Sequence, residues 1–422
     1  MAWIAVVRKM LKSIRQMDGL EGTRNAVYGL WLAIDAAPKL VRDMYRGFPE
    51  SKLQSEAAEL EQHQIFADPP AALRTRADKE KLLWWLAVRL RALENLLYDI
   101  ADGSPVRRAS DCMASHAKQS AFILMRDPLH RAAKTGDSFR RRGLRHARVI
   151  PTKVDDLEVV LVFADDPRGR TRAARAVPLS SGAGLFKDLQ MTIEDVNGGF
   201  IVTNAIAPSQ LDVIRDQIAM ASAVDCIGVV YPELTVSKPT AHEVARCIGD
   251  SSWKCELSFL VVGSHHEKTD DGWFNVAAIM DGYGNALEPP HRKLFQFLDG
   301  EGPHEAIEHG TYLPVLVLEQ AVVAFGICLD FCNLAEDPPY PNLDVDYVIV
   351  PSCGGASTMK GHIRRSTELL EKLKSRTMVV QQFYAAKPTA SDPLGYVLAR
   401  VDPAVPTLAD LEKTVPWTVC SL

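Results

Sequence analysis

From residue 199 onward, short apolar runs alternate with amphipathic helical patterns, and this alternation constrains the fold more than any other feature of the sequence. The runs at 200–206, 226–231, 257–263 and 347–350 are rich in Val and Ile and mostly bounded by Gly, Pro or Asp. Between the first two runs, Leu211, Ile214 and Ile218 share one helical face. Strands that alternate with helices predict an α/β fold in which helices cover a sheet.

The residues before this region predict a module of another kind. At 422 residues, the chain is long enough for two or three folding units. Trp3, Val7 and Ile14 are spaced as one face of a helix. A longer stripe with spacings of four and three comprises Leu86, Leu90, Leu93, Leu97 and Ile100. Residues 1–150 are therefore predicted to form an N-terminal all-α module, and residues 199–422 the α/β domain.

A connecting segment is predicted at 151–198. The apolar run at 157–164 has strand character, and the turn-forming residues at 165–169 separate it from a second extended stretch that reaches Leu179. We interpret this pattern as a β-hairpin between the two larger regions.

The net charge of −5 is unevenly distributed along the chain. Residues 1–150 contain 26 Lys and Arg against 17 Asp and Glu, and the basic excess is greatest at 126–148. We favour a solvated linker, or a strip that docks on the acidic C-terminal part, because Phe139 is the sole aromatic residue of this stretch and base stacking requires several. Nucleic-acid binding stays open as the less favoured alternative.

Several classes of protein are disfavoured by composition. The most apolar stretch, 313–329, contains Glu319, so no transmembrane segment is predicted. The N-terminal charges follow a short apolar run, which is the reverse of a signal peptide. The eight cysteines form no CxxC pair, which disfavours a zinc ribbon or a secreted disulfide framework. These features predict a cytoplasmic protein with mostly buried thiols.

Three chemically reactive residues lie at or near predicted strand ends. Glu233 follows the apolar run 226–231, Lys293 follows a turn rich in Gly and Pro, and Cys328 ends the run 321–327. In this order, the segments V-V-Y-P-E-L, P-P-H-R-K and F-G-I-C-L-D resemble the Glu-Lys-Cys triad motifs of the nitrilase, or carbon–nitrogen hydrolase, superfamily. The similarity covers about residues 199–400, because Asn275, Pro351-Ser352 and the segment 375–382 also resemble family positions.

The resemblance implies a four-layer αββα sandwich, commonly dimerised through its sheets, and a cofactor-free thiol enzyme without a metal. Cys328 would be the nucleophile, Glu233 its general base and acid, and Lys293 the cation that stabilises an oxyanion. Elementary chemistry agrees, since a thiol at its ordinary pKa is only a few per cent ionised at pH 7 and needs a base or cation beside it. A carboxyl held near apolar walls is expected to have a raised pKa.

Further site residues are expected on the same basis. The family often has a second glutamate after the lysine, and spacing favours Glu301 over Glu305 and Glu308. His304 and His309 are five residues apart and would not share a helical face, so a zinc site there is not predicted. Three substrate-pocket candidates are Asp330, Phe331 and Asn275.

The function expected from these residues is hydrolysis of a non-peptide C–N bond in a small amide or carbamoyl substrate through a thioester on Cys328. Asp330 two places after the cysteine resembles amidases, so nitrile hydrolysis is less favoured. Alternatives are acyl transfer to an amine, or a catalytically silent nitrilase-like scaffold whose basic helical module binds a protein or nucleic-acid partner. The N-terminal module would gate, localise or oligomerise the enzyme.

Overall fold

The computed structural model describes residues 2–14, 19–69, 78–101, 108–116, 119–125, 139, 143–169, 179–298, 303–333, 337–384, 389–401 and 404–422. They divide into two compact units. The first unit spans residues 1–153 with the short segments Asn342–Asp344 and Lys372–Lys374, and the second contains the rest of the chain. None of the described helices is both long and apolar enough to cross a membrane.

The first unit begins with helices, as expected. Trp3, Val7 and Ile14 of the first helix are buried, and Leu86 to Leu97 of the longest helix line the same core, whereas Ile100 is exposed. Its helices are α1 (Ala2–Ile14), α2 (Gly19–Asp35), α3 (Lys39–Asp43), α4 (Glu50–Ala58), α5 (Gln62–Ile65) and α6 (Lys79–Ala101), with 3-10 turns at Met44–Gly47 and Ala109–Asp111.

The prediction of an all-α module is wrong for the part of this unit after the long helix α6, where residues 113–151 contain three strands. Strands β1 (Met113–His116), β2 (Gln119–Met125) and β3 (Ala147–Pro151) form an antiparallel sheet in the order β1-β2-β3. The apolar run within β2 suits a strand that is buried against the helices of its own unit. Most of the basic stretch 126–148 lies outside the described residues, and Arg148 within β3 is buried.

The second unit is built on two large sheets. The strands are β4 (Lys153–Val154), β5 (Leu157–Phe163), β6 (Ser180–Gly184), β7 (Gln190–Val196), β8 (Gly199–Ile206), β9 (Gly228–Tyr231), β10 (Phe259–Thr269), β11 (Gly272–Asp281), β12 (Tyr312–Val317), β13 (Val322–Phe325), β14 (Tyr347–Gly354), β15 (Arg376–Phe383), β16 (Gly395–Arg400), β17 (Glu412–Lys413) and β18 (Trp417–Ser421). One large sheet has the order β11-β10-β9-β6-β18, and the other has the order β17-β16-β15-β14-β13-β12-β5-β4. Strands β7 and β8 pair separately as a two-stranded ribbon.

Side-chain alternation shows how these sheets are layered. Phe259 and Val261 of β10 face a core shared with Phe325 and Ile349 of the other sheet. Leu260, on the opposite face of β10, belongs to a second core with the helices of that face. The helices of this unit are α7 (Gln210–Ala223), α8 (Lys238–Gly249), α9 (Leu329–Cys332), α10 (Ala356–Leu373) and α11 (Leu408–Leu411).

Helix α10 supplies the outer layer on the other side. It joins β14 to β15, which pair in parallel, and such a connection must cross over one face of the sheet. The inner face is occupied by the facing sheet, so the crossover lies outside. The result is the αββα sandwich that the resemblance implied.

In the predicted hairpin at 151–198, the first strand does not pair with the stretch that follows the turn. Strand β5 pairs in parallel with β12, so it belongs to the eight-stranded sheet. Strand β6 belongs to the five-stranded sheet, where it lies between β9 and β18. The turn-forming sequence at 165–169 suggested a local pairing, but β5 has β12 and β4 as its neighbours in the sheet. Residues 170–178, most of the predicted second strand, are outside the described part of the chain.

Candidate active site

The structure brings Glu233, Lys293 and Cys328 into one buried cluster. Lys293 Nζ donates to Glu233 Oε1 at 2.8 Å. The Cys328 thiol donates to the Cys353 carbonyl at 3.8 Å and is close enough to Glu233 to affect the pKa of that carboxyl group. All three residues are nearly inaccessible to solvent, with exposed fractions of 2% for Glu233, 2% for Lys293 and 3% for Cys328. An acid, an ammonium and a thiol in one buried cluster have the composition needed for nucleophilic catalysis.

Glu233 is fixed by donors from three directions. Strand β9 ends at Tyr231, so Pro232 and Glu233 leave the sheet at the carboxyl end of a buried strand. Glu233 Oε1 also accepts from Asn275 Nδ2 at 3.0 Å, and Oε2 accepts from the backbone N–H of Cys353 at 3.0 Å. Because both oxygens are engaged, the carboxyl group has one defined orientation toward Lys293 and Cys328.

A second glutamate, Glu305, completes the surroundings of the lysine. Its Oε2 accepts from Lys293 Nζ at 2.6 Å and from the Phe297 N–H at 3.1 Å. Its Oε1 accepts from Asn275 Nδ2 at 2.9 Å and contacts His266 Nε2 at 2.9 Å. Glu305 is fully buried, and its ion pair with Lys293 balances its charge within the site.

The sequence analysis favoured Glu301 for this position. Glu301 lies outside the described residues, and the second carboxylate that contacts Lys293, after that of Glu233, belongs to Glu305. Spacing could not separate the two, because the choice depends on tertiary contacts. Glu305 forms an isolated bridge with Phe200, and its backbone N–H donates to the Phe297 carbonyl. These two contacts orient the Glu305 side chain toward the lysine.

Cys328 lies at a sharp turn between strand and helix. Its backbone has φ 44° and ψ −100°, an uncommon conformation for a residue with a Cβ, and helix α9 begins at the next residue. Two residues earlier, a Cβ on Gly326 would lie only 2.1 Å from the hydroxyl of Tyr340, so glycine is required there. Strained backbone of this kind is often maintained at functional sites.

Asp330 was expected to line the substrate pocket, but its carboxylate is occupied by the protein. Oδ1 accepts from the backbone N–H groups of Leu294 and Phe295 at 2.7 and 3.1 Å, and Oδ2 accepts from that of Ile327 at 2.9 Å. The remaining contact of Oδ2 is His291 Nε2 at 3.1 Å. Asp330 therefore ties the segment that carries Lys293 to the turn that carries Cys328.

The other two pocket candidates also have structural positions. Phe331 is fully buried and packs between the His362 and Tyr340 rings, with centroids 5.9 and 5.7 Å away. The Asn275 side chain on β11 bridges the two glutamates, and the backbone carbonyl of Asn275 accepts from the backbone N–H of Lys293 at 2.8 Å. Of the three candidates, Asn275 alone contacts the Glu233–Lys293 cluster through its side chain.

The electrostatics of the cluster separate the two glutamates. Burial raises the pKa of Glu233, more than the opposing effect of Lys293, and the nearby Glu305 charge raises it further. Burial acts on Glu305 in the same sense, but Lys293 and His266 outweigh it and lower the pKa of Glu305 to about 2. The pKa of Lys293 is well above its ordinary value, because the two carboxylates overcome the effect of its burial. Carboxyl groups whose pKa values diverge in this way suit different roles.

Sequence reasoning missed two residues beside Cys328. Cys332 lies one helical turn after Cys328, and His362 projects from α10; the ligand atoms of all three lie within 4.8 Å of one another. The hydrogen bond between the thiols is the largest cause that raises the pKa of Cys328 well above its ordinary value and lowers that of Cys332 to about 4. The C-x3-C spacing was a signal for this pair, whereas His362 is thirty residues farther along the chain.

Comparison with known proteins gives a partial structural similarity. No protein-family model matches the sequence, and a search of curated proteins finds no match. The chain is similar to the crystal structure of an amidase from Nesterenkonia sp., with 15% identity, 59% of this chain and 91% of that chain covered, and a TM-score of 0.39. It is also similar to glutamine-dependent NAD+ synthetase from Acinetobacter baumannii in complex with ADP, with 16% identity, coverages of 58% and 45%, and a TM-score of 0.41.

Proposed function

We propose that the protein is a thiol amidohydrolase that cleaves a non-peptide C–N bond of a small amide or carbamoyl substrate. The observation that carries the proposal is the buried carboxyl group of Glu233, which accepts from the Lys293 ammonium and lies close enough to the Cys328 thiol for each group to affect the pKa of the other. A base and a cation that share the surroundings of one thiol supply the two things that a cysteine nucleophile lacks at neutral pH.

In the first half-reaction, ionised Glu233 takes the thiol proton as Cys328 Sγ attacks the carbonyl carbon. The carbonyl π electrons move to oxygen, and Lys293 stabilises the oxyanion together with the N–H of Leu329, the first residue of α9. The tetrahedral intermediate collapses when Glu233 returns its proton to the departing nitrogen. Ammonia or an amine leaves, and Cys328 carries a thioester.

In the second half-reaction, Glu233 removes a proton from water as the water oxygen attacks the thioester. A second tetrahedral oxyanion is stabilised in the same place, and its collapse expels Cys328 Sγ. Glu233 protonates the sulfur, so the acid product leaves and the thiol is restored. The raised pKa of Glu233 suits it to this repeated exchange, because a base works best when its pKa is near the working pH.

Glu305 supports the chemistry through Lys293. The two form a buried ion pair at 2.6 Å, and the lowered pKa of Glu305 keeps its carboxylate ionised while Glu233 gains and loses protons. Lys293 therefore remains an ammonium in both protonation states of Glu233. We assign Glu305 and Asn275 as positioning residues and reserve the catalytic role for Glu233, Lys293 and Cys328.

The test is product formation with a panel of small amides and ureido compounds, each paired with the nitrile of the same carbon skeleton where one exists. We expect release of ammonia or amine from amides, a smaller rate with nitriles, and loss of activity by at least about 10³-fold in Cys328→Ala. Cys255→Ala is the matched control, because Cys255 lies outside the cluster, and it should retain activity. Activity of Cys328→Ala equal to that of the control would refute the assignment.

A further inference from the structure

Three soft ligands converge at the reactive thiol. The sulfur atoms of Cys328 and Cys332 and a ring nitrogen of His362 lie within 4.8 Å of one another, and all three side chains are buried. Zinc in a tetrahedral site has Zn–S and Zn–N distances of about 2.3 and 2.0–2.1 Å, which requires ligand atoms about 3.5–3.8 Å apart. The ligand atoms would therefore have to approach one another by at most about 1.3 Å to reach that spacing.

The imidazole is oriented by a chain of hydrogen bonds. Gln381 Nε2 donates to the carbonyl groups of Gly354 and Gly355 at 3.0 and 2.9 Å, which leaves Gln381 Oε1 as the acceptor for the Ser352 hydroxyl at 3.3 Å. Because that hydroxyl donates to Gln381, its oxygen is available to accept a hydrogen bond from the Nε2–H group of His362, 3.0 Å away.

This chain assigns the tautomer of the imidazole. With the proton on Nε2, the lone pair of His362 is on Nδ1. Nδ1 is buried and has no hydrogen-bond partner within the described part of the chain. Metal-binding histidines have the same arrangement: one ring nitrogen has an available lone pair, and the N–H group of the other donates a hydrogen bond to a polar neighbour.

The ligand set indicates which cations fit. Two sulfurs and one imidazole are preferred by Zn²⁺ and by other soft or borderline cations, whereas Mg²⁺ and Ca²⁺ require oxygen ligands. Both cysteines would bind as thiolates, and their two negative charges would neutralise a divalent cation in this buried place. Three protein ligands leave a fourth coordination position for water.

We propose that Cys328, Cys332 and His362 form a binding site for Zn²⁺ or a similar thiophilic divalent cation, and that occupancy reversibly inactivates the enzyme. The metal would hold the Cys328 thiolate by its sulfur lone pair, so the sulfur could not attack a carbonyl carbon. Binding of the cation does not depend on the proposed amidohydrolase activity, whereas the inhibition rests on it.

The test is titration of the reduced, metal-free full chain with Co²⁺, followed by absorbance in the thiolate-to-metal charge-transfer and ligand-field regions, and then by displacement with Zn²⁺. We expect one tight equivalent with a tetrahedral spectrum. Cys332→Ser and His362→Gln should each weaken binding by at least tenfold, while Cys255→Ser should bind as the unaltered chain does. Circular dichroism would verify that each variant is folded.

The outcomes separate this inference from the proposed function. A one-equivalent signal that is unchanged in folded Cys332→Ser, or one that disappears in Cys255→Ser, would overturn the site. Absence of tight binding by the unaltered chain would overturn it as well, even if the chain hydrolyses amides. If the site binds Zn²⁺ and amide hydrolysis continues at the same rate with Zn²⁺ bound, the inhibitory role and the assignment of Cys328 as nucleophile fail together. A chelator should restore activity to the inhibited protein.

Discussion

Replacement of Glu305 by Gln tests the division of roles between the two glutamates. Glu305 accepts hydrogen bonds on both oxygens from Lys293, Phe297 and Asn275 and contacts His266. An amide of the same shape keeps one acceptor oxygen, so one side of the group loses its acceptor. The change also removes one of the two carboxylate charges that form ion pairs with Lys293, and the other belongs to Glu233.

The magnitude follows from the geometry. Glu233 Oε1 and Glu305 Oε1 both accept from Asn275 Nδ2, at 3.0 and 2.9 Å, so the two charges are less than about 6 Å apart. Two like charges at that separation repel by roughly 3 kcal/mol at an effective dielectric constant of about 20. Without Glu305 this repulsion disappears, and Lys293 binds Glu233 alone. Glu233 becomes easier to ionise and a weaker base, and Lys293 is held away from the oxyanion.

The assay is the pH dependence of kcat/KM for Glu305→Gln and the unaltered enzyme. We expect kcat/KM to fall by about 10²–10³-fold at neutral pH, comparable to loss of one oxyanion donor, and the acid limb of the profile to move to lower pH. Glu308→Gln is the matched control, because Glu308 is exposed in the same loop. A variant with reduced activity but an unmoved acid limb would contradict the electrostatic role of Glu305 and leave it purely structural.

Three further predictions follow from the same contacts. First, burial raises the pKa of Glu233, so kcat/KM should decline as pH falls while the pH is still above the ordinary glutamate range; a decline confined to that range would contradict the assignment of Glu233 as base. Second, Asp330→Asn should lower the free energy of unfolding by about 2–3 kcal/mol in urea titration, because the new amide group faces the Ile327 N–H; exposed Asp337→Asn should change it little. Third, hydroxylamine added with an amide substrate should give a hydroxamate, since a thioester reacts with strong amine nucleophiles; acid as the sole product would count against an accessible acyl-enzyme.

Local patterns in the sequence predicted the parts of the site that depend on strand ends. Glu233 and Cys328 follow apolar runs that the structure forms as β9 and β13, and the structure places Lys293 beside Glu233. The periodicity of apolar residues and the turn residues that bound each run are sufficient to predict such positions, because the end of a buried strand fixes where the next residue leaves the sheet. The burial that raises the pKa of Glu233 was foreseeable for the same reason.

Features that depend on tertiary pairing were not predictable in this way. The sequence does not indicate that Glu305 contacts Lys293, since the segment that carries it has no periodicity. Asp330 was expected in the pocket because of its place after the cysteine, but its four donors come from the turn and from a segment some forty residues earlier. Parallel pairing of β5 with β12 likewise joins residues about 150 positions apart, beyond any local signal.

The most direct test of the central claim is intact-mass analysis followed by peptide mapping of the protein quenched during turnover of an amide substrate. We predict a mass increase equal to the acyl group of the substrate, mapped to Cys328, absent from Cys328→Ala and still present in Cys332→Ser. An adduct of that mass in Cys328→Ala, or one mapped to Cys332 in the unaltered enzyme, would contradict the account.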